Sequence, residues 1–235
     1  MKFRCSSLGN IMTNPRSKSE MISETAKAVI LEQFIQDKYG RTKDVETRYM
    51  EKGLKTEDDS ITLYSRLQKT FFVKNDQRLS NNYITGEPDA FIGKSIDKAD
   101  IVLDFKSSWD LWTFWKAKMN DVNKQYFWQM QGYMWLTGAK EARLIYCLND
   151  TPESLILAEK KRLWYKLDVI DEMASPEYIE GSKEIERNMT FGDIPIQERC
   201  FETRISRDVD AIKSIQGRVE LCREWVRENL PSSPF

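Results

Sequence analysis

The sequence predicts an α/β fold, a mixed β-sheet flanked by helices and followed by further helices toward the C-terminus. Three observations carry this expectation. Apolar residues recur at helical spacing up to about residue 67, alternate with period two from about 70 to 106, and return to helical spacing afterwards. The element order that results is helices, three strands, a helix, a strand, then helices, which describes one α/β domain with a mixed sheet. No internal repeat, low-complexity tract or interdomain linker interrupts the 235 residues, so a single domain is expected over 1–235, with a core at about 20–150 and a helical extension at about 153–230.

Each element has a local reason. Residues 1–19 are polar, with Pro15 and several Ser, and read as a lead-in loop that can hold a short turn. A helix is expected from about Ser19 to Tyr39, with Ile22, Ala26, Ile30 and Phe34 on one face and Gly40 past its end. A second runs from about Glu46 to Leu67 on a stripe of Met50, Leu54, Ile61 and Tyr64. Thr70–Lys74, Asn82–Ile92 and Asp100–Lys106 read as strands, the last two joined by a hairpin through Gly93-Lys94-Ser95 and Asp97. A long helix from about Asp110 to Thr137 ends at Gly138, and Ala142–Leu148 reads as a buried strand. Beyond Pro152 the chain reads as mostly helical, over Glu153–Lys166, Pro176–Asn188 and Arg207–Leu230. The last of these carries Ile212, Ile215, Val219, Cys222 and Val226 on one face, and Pro231-Ser232-Ser233-Pro234 ends it.

Composition narrows the chemistry. The chain has no His, which excludes Ser-His-Asp and Cys-His nucleophile pairs, His-ligated zinc and a His general base. With 36 Lys and Arg against 37 Asp and Glu the net charge is −1, so any phosphate-binding surface must be local. Cys5, Cys147, Cys200 and Cys222 are scattered without a CxxC pair and read as free thiols of a reducing compartment. No apolar run approaches membrane-spanning length and no signal peptide is visible, so no membrane partner and a cytoplasmic location are expected (the host cytoplasm if the gene is phage-encoded).

The chemistry-bearing residues form an ordered set. In Val102-Leu103-Asp104-Phe105-Lys106, Asp104 and Lys106 share one strand face while Phe105 points to the other. Alone, such an Asp-x-Lys reads as a strand-end salt bridge. Asp89, in Gly86-Glu87-Pro88-Asp89-Ala90, lies across the hairpin from Asp104. Two carboxylates forced together repel unless a cation lies between them, and hard oxygen ligands favour Mg²⁺ or Mn²⁺; turn chemistry around Gly86 and Pro88 is the plainer alternative for Asp89. Glu57 falls within the apolar stripe of the second helix, where a carboxylate is costly unless paired, or else sits at the stripe's edge and reaches solvent. Gln129 and Tyr133, four apart, share a helix face.

Together these residues resemble the PD-(D/E)XK nuclease superfamily, and most closely the phage recombination exonucleases of the lambda exonuclease type. The resemblance spans roughly residues 46–150. It rests on Lys52-Gly53 ahead of Glu57, Pro88-Asp89, Leu103-Asp104-Phe105-Lys106-Ser107-Ser108, and Gln129-Met130-Gln131-Gly132-Tyr133-Met134-Trp135-Leu136-Thr137-Gly138. It implies a restriction-endonuclease-like core and metal-dependent hydrolysis of DNA phosphodiesters. Asp89, Asp104 and the main-chain carbonyl of Phe105 are then the expected Mg²⁺ ligands, with Mn²⁺ as a substitute, and Glu57 a further ligand, directly or through water. Lys106 is expected to orient the attacking water and stabilise transition-state charge, Gln129 to align water or phosphate, and Tyr133 to support that helix face. Ser107, Ser108, Arg4 and Ser6 are the candidate DNA contacts. A homo-oligomer (a ring trimer by analogy) and a single-strand annealing protein are the partners implied beside DNA.

One departure concerns Glu87, which stands where lambda-type enzymes often carry a Ser that helps hold a 5′ phosphate. Cys5, Cys200 and Cys222 do not match the iron–sulfur branch, so no cluster is expected. A structure-specific endonuclease of the same fold and a non-catalytic DNA- or protein-binding module are the rival readings. Five of the seven Trp (109, 112, 115, 128 and 135) fall in one segment and read mainly as core packing, with some available to stack on unpaired bases. From Lys106 to Arg143 six basic residues face three acids, a modest excess compatible with a phosphate track.

Overall fold

The computed structural model describes residues 1–235 except 44–46, 172–174 and 231–235. The expected helix start at Glu46 and the terminal Pro231–Pro234 stop lie outside the described residues. The remaining chain is a mixed α/β structure with two sheets flanked by helices.

The N-terminus holds the expected short turn but is otherwise built into the core rather than a lead-in loop. Strand β1 (Phe3–Arg4), a 3₁₀ turn (Cys5–Ser7) and helix α1 (Leu8–Ile11) bury Phe3, Cys5, Leu8 and Ile11. Close approach makes this possible. A Cβ on Gly132 would lie 2.6 Å from Leu8 Cδ1, and one on Gly9 would lie 2.5 Å from the Gln125 backbone. Helix α2 (Glu24–Tyr39) starts later than expected, where Ser23 accepts the Ala26 N–H at 3.0 Å, and ends on Gly40 in the left-handed conformation.

The expected second helix is two, α3 (Arg48–Lys55) and α4 (Glu57–Gln68), broken at Thr56. The break divides the apolar stripe. Ile61 and Tyr64 are buried, whereas Met50 and Leu54 stand exposed and Lys52 takes the interior position of α3. The expected strand at Thr70–Lys74 is irregular: its backbone is tied by the Ser65 hydroxyl, which accepts the Phe72 N–H at 3.1 Å, and Phe72 packs against Tyr64.

The expected strand Asn82–Ile92 also divides, into β3 (Ile84–Gly86) and β4 (Ala90–Gly93), because Pro88 has no N–H for a ladder and the chain changes sheets there. β3 lies between β1, parallel to it, and β2 (Leu79–Ser80), antiparallel. β4 opens the second sheet, paired antiparallel with β5 (Ala99–Ser107) through the expected hairpin. β5 pairs parallel with β6 (Glu141–Cys147), and β6 antiparallel with β7 (Cys200–Ser206). β7 falls in the stretch before Arg207 that the mostly helical expectation beyond Pro152 left unassigned; Phe201 and Ile205 point with Thr203 to one face there, a period-two signal confined to seven residues.

The long helix expected at 110–137 is α5 (Leu111–Met119) and α6 (Lys124–Thr137), each with its own cap. Asp110 and Thr113 form a capping box, and the Asn123 side chain accepts the Gln125 N–H at 2.8 Å. Helices α7 (Glu153–Leu167), α8 (Pro176–Met189) and α9 (Val209–Asn229) follow, and α9 buries the expected face from Ile212 to Val226. One core lies where Val102, Ala142 and Leu144 meet α6, α9, α2 and the N-terminal turn. On the opposite side Leu103, Phe105 and Ile145 pack with Ile61 and Tyr64 of α4. The alternation along β5 therefore sends Asp104 and Lys106 toward α6 and Phe105 toward α4.

Candidate active site

The site forms where β4 leaves β3 and β5 turns from apolar to charged. The pairing of Ala90 with Leu103 sets the preceding Asp89 alongside Asp104. Asp89 Oδ2 accepts the main-chain N–H of Phe105 at 2.7 Å, which fixes one carboxylate against the backbone of the other's strand. Asp104 is 1% exposed. Its Oδ1 accepts from Gln129 Nε2 at 3.2 Å, and the same amide donates to the Tyr133 hydroxyl at 3.0 Å. Lys106 Nζ lies 2.6 Å from Asp104 Oδ2 and 4.8 Å from the centre of the Tyr126 ring. Asp89, Asp104, Lys106, Gln129 and Tyr133 thus meet as the spacing implied.

The electrostatics of the cluster are unbalanced. Burial, and then the charge of Asp104, push the Asp89 carboxyl well above the ordinary range, against the Phe105 N–H and Lys106. Burial alone would lower the Lys106 ammonium, but Asp104 and then Asp89 outweigh it and raise it. Burial is also the main reason the Tyr133 phenol is raised. Two carboxylates thus share one ammonium out of water, and Asp104 Oδ2 has the charge of Lys106 beside it without an aligned hydrogen bond. That donor set suits a hard divalent cation, which would relieve the repulsion.

Glu57 occupies the first turn of α4, not a buried stripe position. Its carboxylate is held by Lys74 Nζ at 3.0 Å, although its charge still contributes to raising Asp89. Among the described residues no group of three or more acidic or thiol side chains gathers closely enough to hold a metal ion. In this arrangement the set is therefore two carboxylates with a third nearby. Ser108 is buried, its N–H donating to the Cys147 carbonyl at 2.8 Å, while the Ser107 hydroxyl is buried with no hydrogen-bond partner. Arg4 and Ser6 are exposed, and Arg4 lines a different cavity, with Ser7, Thr85 and Lys43.

Three features escaped the sequence reading. Glu87 is paired with Arg78 at 2.9 Å, so the carboxylate in the usual Ser position carries its own counter-charge. Lys74 neutralises Glu57 from a segment read as a strand. Lys52 is fully buried, donates to the Trp109 carbonyl at 2.9 Å, and is lowered by burial to about 7, against the opposing charges of Asp110 and Asp150. The sequence offered no clear signal for any of the three, since Lys52 has no run of apolar residues on its helix face.

This combination of sheet, flanking helices and charged strand end is the fold of phage-type exonucleases, consistent with a nuclease of the PD-(D/E)XK type. The chain resembles the crystal structure of a phage-related exonuclease from Haemophilus somnus 129PT, with 27% identity, a TM-score of 0.71, and coverage of 97% of this chain and 94% of that one. It also shares its fold with the alkaline exonuclease LHK-Exo from Laribacter hongkongensis, at 15% identity, a TM-score of 0.64, and coverage of 97% and 88%. A further structure of LHK-Exo, in complex with dAMP, matches at 17% identity and a TM-score of 0.60, covering 97% and 92%. No family model and no curated protein sequence matches the chain. Among the described residues no helix is long and apolar enough to cross a membrane.

Proposed function

We propose that this chain is a Mg²⁺-dependent deoxyribonuclease of the phage recombination type, degrading duplex DNA from its ends, with Mn²⁺ able to replace Mg²⁺. The observation that carries the reading is the buried pair Asp89 and Asp104 sharing the single ammonium of Lys106 beside Gln129. The likeness to structures described as exonucleases supports the same conclusion. Asp89, Asp104 and the Phe105 carbonyl would hold the ion, with Glu57 contributing through water once released from Lys74. The ion supplies a lowered pKa for bound water and positive charge against the phosphate oxygens.

The chain's own residues supply the rest. Lys106, held against Asp104 and over the Tyr126 ring, presents an ammonium to the attacking water and to charge developing on phosphate. Gln129 fixes one Asp104 oxygen, leaving the other turned toward Lys106. Tyr133 anchors the Gln129 amide from one helical turn further on. Ser107 and Ser108 contribute DNA contacts beside Lys106, and Arg4 and Ser6 reach the backbone from the N-terminal turn.

The test is digestion of end-labelled linear duplex by the wild type and by Asp104→Asn, with and without Mg²⁺. Mg²⁺-dependent release of label, lost in the variant while its circular dichroism stays native, is the expected result. Unchanged digestion by the variant would overturn the reading. Closed circular DNA separates exonuclease from endonuclease action, and 5′-phosphate against 5′-hydroxyl ends tests whether the Arg78–Glu87 pair tolerates a terminal phosphate.

A further inference from the structure

Two thiols meet on the face of the sheet turned toward α4, away from the carboxylate pair. Cys147 ends β6, Cys200 begins β7, and the two are direct partners in the antiparallel ladder. Their Sγ atoms are 3.9 Å apart, in the apolar cluster that holds Phe105, Ile145 and Ile61. All four cysteines of the chain are free thiols in this structure. The phase of the ladder decides whether a bond can close between these two. The Leu148 N–H donates to the Arg199 carbonyl at 2.8 Å, and at the other end the Arg207 N–H donates to the Lys140 carbonyl at 3.0 Å. Hydrogen-bonded partners alternate with non-hydrogen-bonded ones along such a ladder, so Cys147 and Cys200 form a non-hydrogen-bonded pair. In that class the Cα atoms approach to about 4.5 Å and the side chains stand closer. A disulfide accepts Cα separations of roughly 4.4–6.8 Å, so the backbone is already within range. The sulfurs alone must close, from 3.9 Å to about 2.05 Å.

The two thiols differ in access. Cys200 is half-buried at the start of β7, the edge strand, whereas Cys147 is fully buried on β6. The hydrogen bond with Cys200, and then burial, hold the Cys147 thiol well above the ordinary range. An oxidant therefore meets Cys200 first and Cys147 second. Cys5 and Cys222 are buried, and burial raises both thiols, so neither competes. The position matters as well, because Cys147 and Cys200 flank the segment 148–199 that carries α7 and α8.

We infer that Cys147 and Cys200 are a thiol–disulfide exchange site, which a small-molecule disulfide oxidises reversibly to an intramolecular disulfide at the neck of the α7–α8 segment. The Cys200 thiolate attacks one sulfur of the small disulfide, forms a mixed disulfide and releases the first small thiol. Cys147 then gives up its proton and attacks Cys200 Sγ, and the second small thiol leaves. Two protein thiols are oxidised, two electrons pass to the reagent, and the two protons end on the two small thiols released. An excess of small thiol runs the same steps backward. A bond of this kind suits a reducing compartment, where disulfides form transiently and report redox state rather than staple a fold.

The test is incubation of the native full chain with glutathione disulfide, followed by alkylation of the remaining thiols and tryptic mapping. Cleavage after Arg143, Lys160, Arg199 and Arg204 places Cys147 in peptide 144–160 and Cys200 in peptide 200–204. The expected result is these two peptides joined, with free thiols reduced from the four of the untreated chain to Cys5 and Cys222. Dithiothreitol added without denaturant should then restore both thiols. Cys147→Ser keeps the outer thiol and should stop at a glutathione adduct on Cys200, whereas Cys200→Ser should take up none. Four free thiols at saturating glutathione disulfide overturn the site. So does a wild-type adduct left on Cys200 beside an unreacted Cys147, a bond joining any other pair, or a bond that dithiothreitol cannot open in the native chain. The wild-type map decides the question by itself if a buried serine keeps Cys147→Ser from folding.

Discussion

Two clusters on the same sheet use the same ingredients, carboxylate, cation and tyrosine, and end in opposite electrostatic states. At the edge strand β7, Glu202 accepts from the Tyr64 hydroxyl at 2.5 Å and from Arg204 Nε at 2.9 Å, with Arg143 close by at 3.8 Å. Burial would raise that carboxyl, but these donors outweigh it and hold it below the ordinary glutamate value. On β5, two carboxylates meet one ammonium, and Asp89 is driven up by burial and by its neighbour. The edge cluster is satisfied by its own residues; the β5 cluster lacks positive charge. A satisfied network stabilises a fold, whereas an unbalanced buried one is a place where a ligand's charge can be stabilised.

The largest expected break comes from Lys106→Met. It removes the one cation of the β5 cluster among the described residues, and activity on linear duplex should fall roughly a thousandfold. Because it strands a buried carboxylate pair, metal-free stability in urea should also drop by about 3 kcal/mol. Supplying the missing charge tests the same contrast from the other side. Mg²⁺ at about a hundred times its dissociation constant should stabilise the wild type by about 2.7 kcal/mol, and Asp89→Asn should lose most of that gain in a thermal melt.

Lys52 is the mirror case, a buried cation with no carboxylate in ion-pair contact among the described residues. Its ammonium is lowered to about 7, while in the unfolded chain it titrates near its ordinary value of 10.5. Below pH 7 both states carry the proton and the burial cost is felt in full. Above pH 7 the folded state releases it and the unfolded state does not, so stability rises with pH, by at most about 1.4 kcal/mol per unit. Between pH 7 and about 8, below the range in which unfolded thiols titrate, the wild type should gain roughly 1 kcal/mol over Lys52→Met in urea unfolding. Lys52→Met should lose that gain and show the shallower slope; an equal slope in the variant would remove Lys52 as its cause. The smallest effect belongs to the satisfied cluster. Glu202→Gln should cost about 1 kcal/mol and leave digestion of duplex unchanged.

The candidate site was legible in the sequence because its geometry is local. Asp104 and Lys106 share a strand face by simple alternation, Gln129 and Tyr133 share a helix face by a spacing of four, and a short hairpin carries Asp89 to Asp104. Glu57 was harder to place, because its expected burial assumed one continuous helix, and the break at Thr56 moved it to a helix start beside Lys74. The same break exposed Met50 and Leu54 and left the interior position to Lys52. The N-terminal segment was misread because Phe3, Cys5, Leu8 and Ile11 have no clear period; their burial depends on Gly132, far away in the chain.

By itself the sequence determined the class of fold, the absence of imidazole chemistry, and the ordered set of carboxylates, Lys, Gln and Tyr. Alternation, helical spacing and residue type are written in short windows, so neighbours along the chain suffice to read them. Only the tertiary structure decided which charges are balanced. Arg78 against Glu87, Lys74 against Glu57, and one Lys106 against two Asp are pairings between segments, and burial sets how much each costs. The approach of Cys147 to Cys200 belongs to that second kind, since the two thiols stand 53 positions apart in the chain and only packing brings them together.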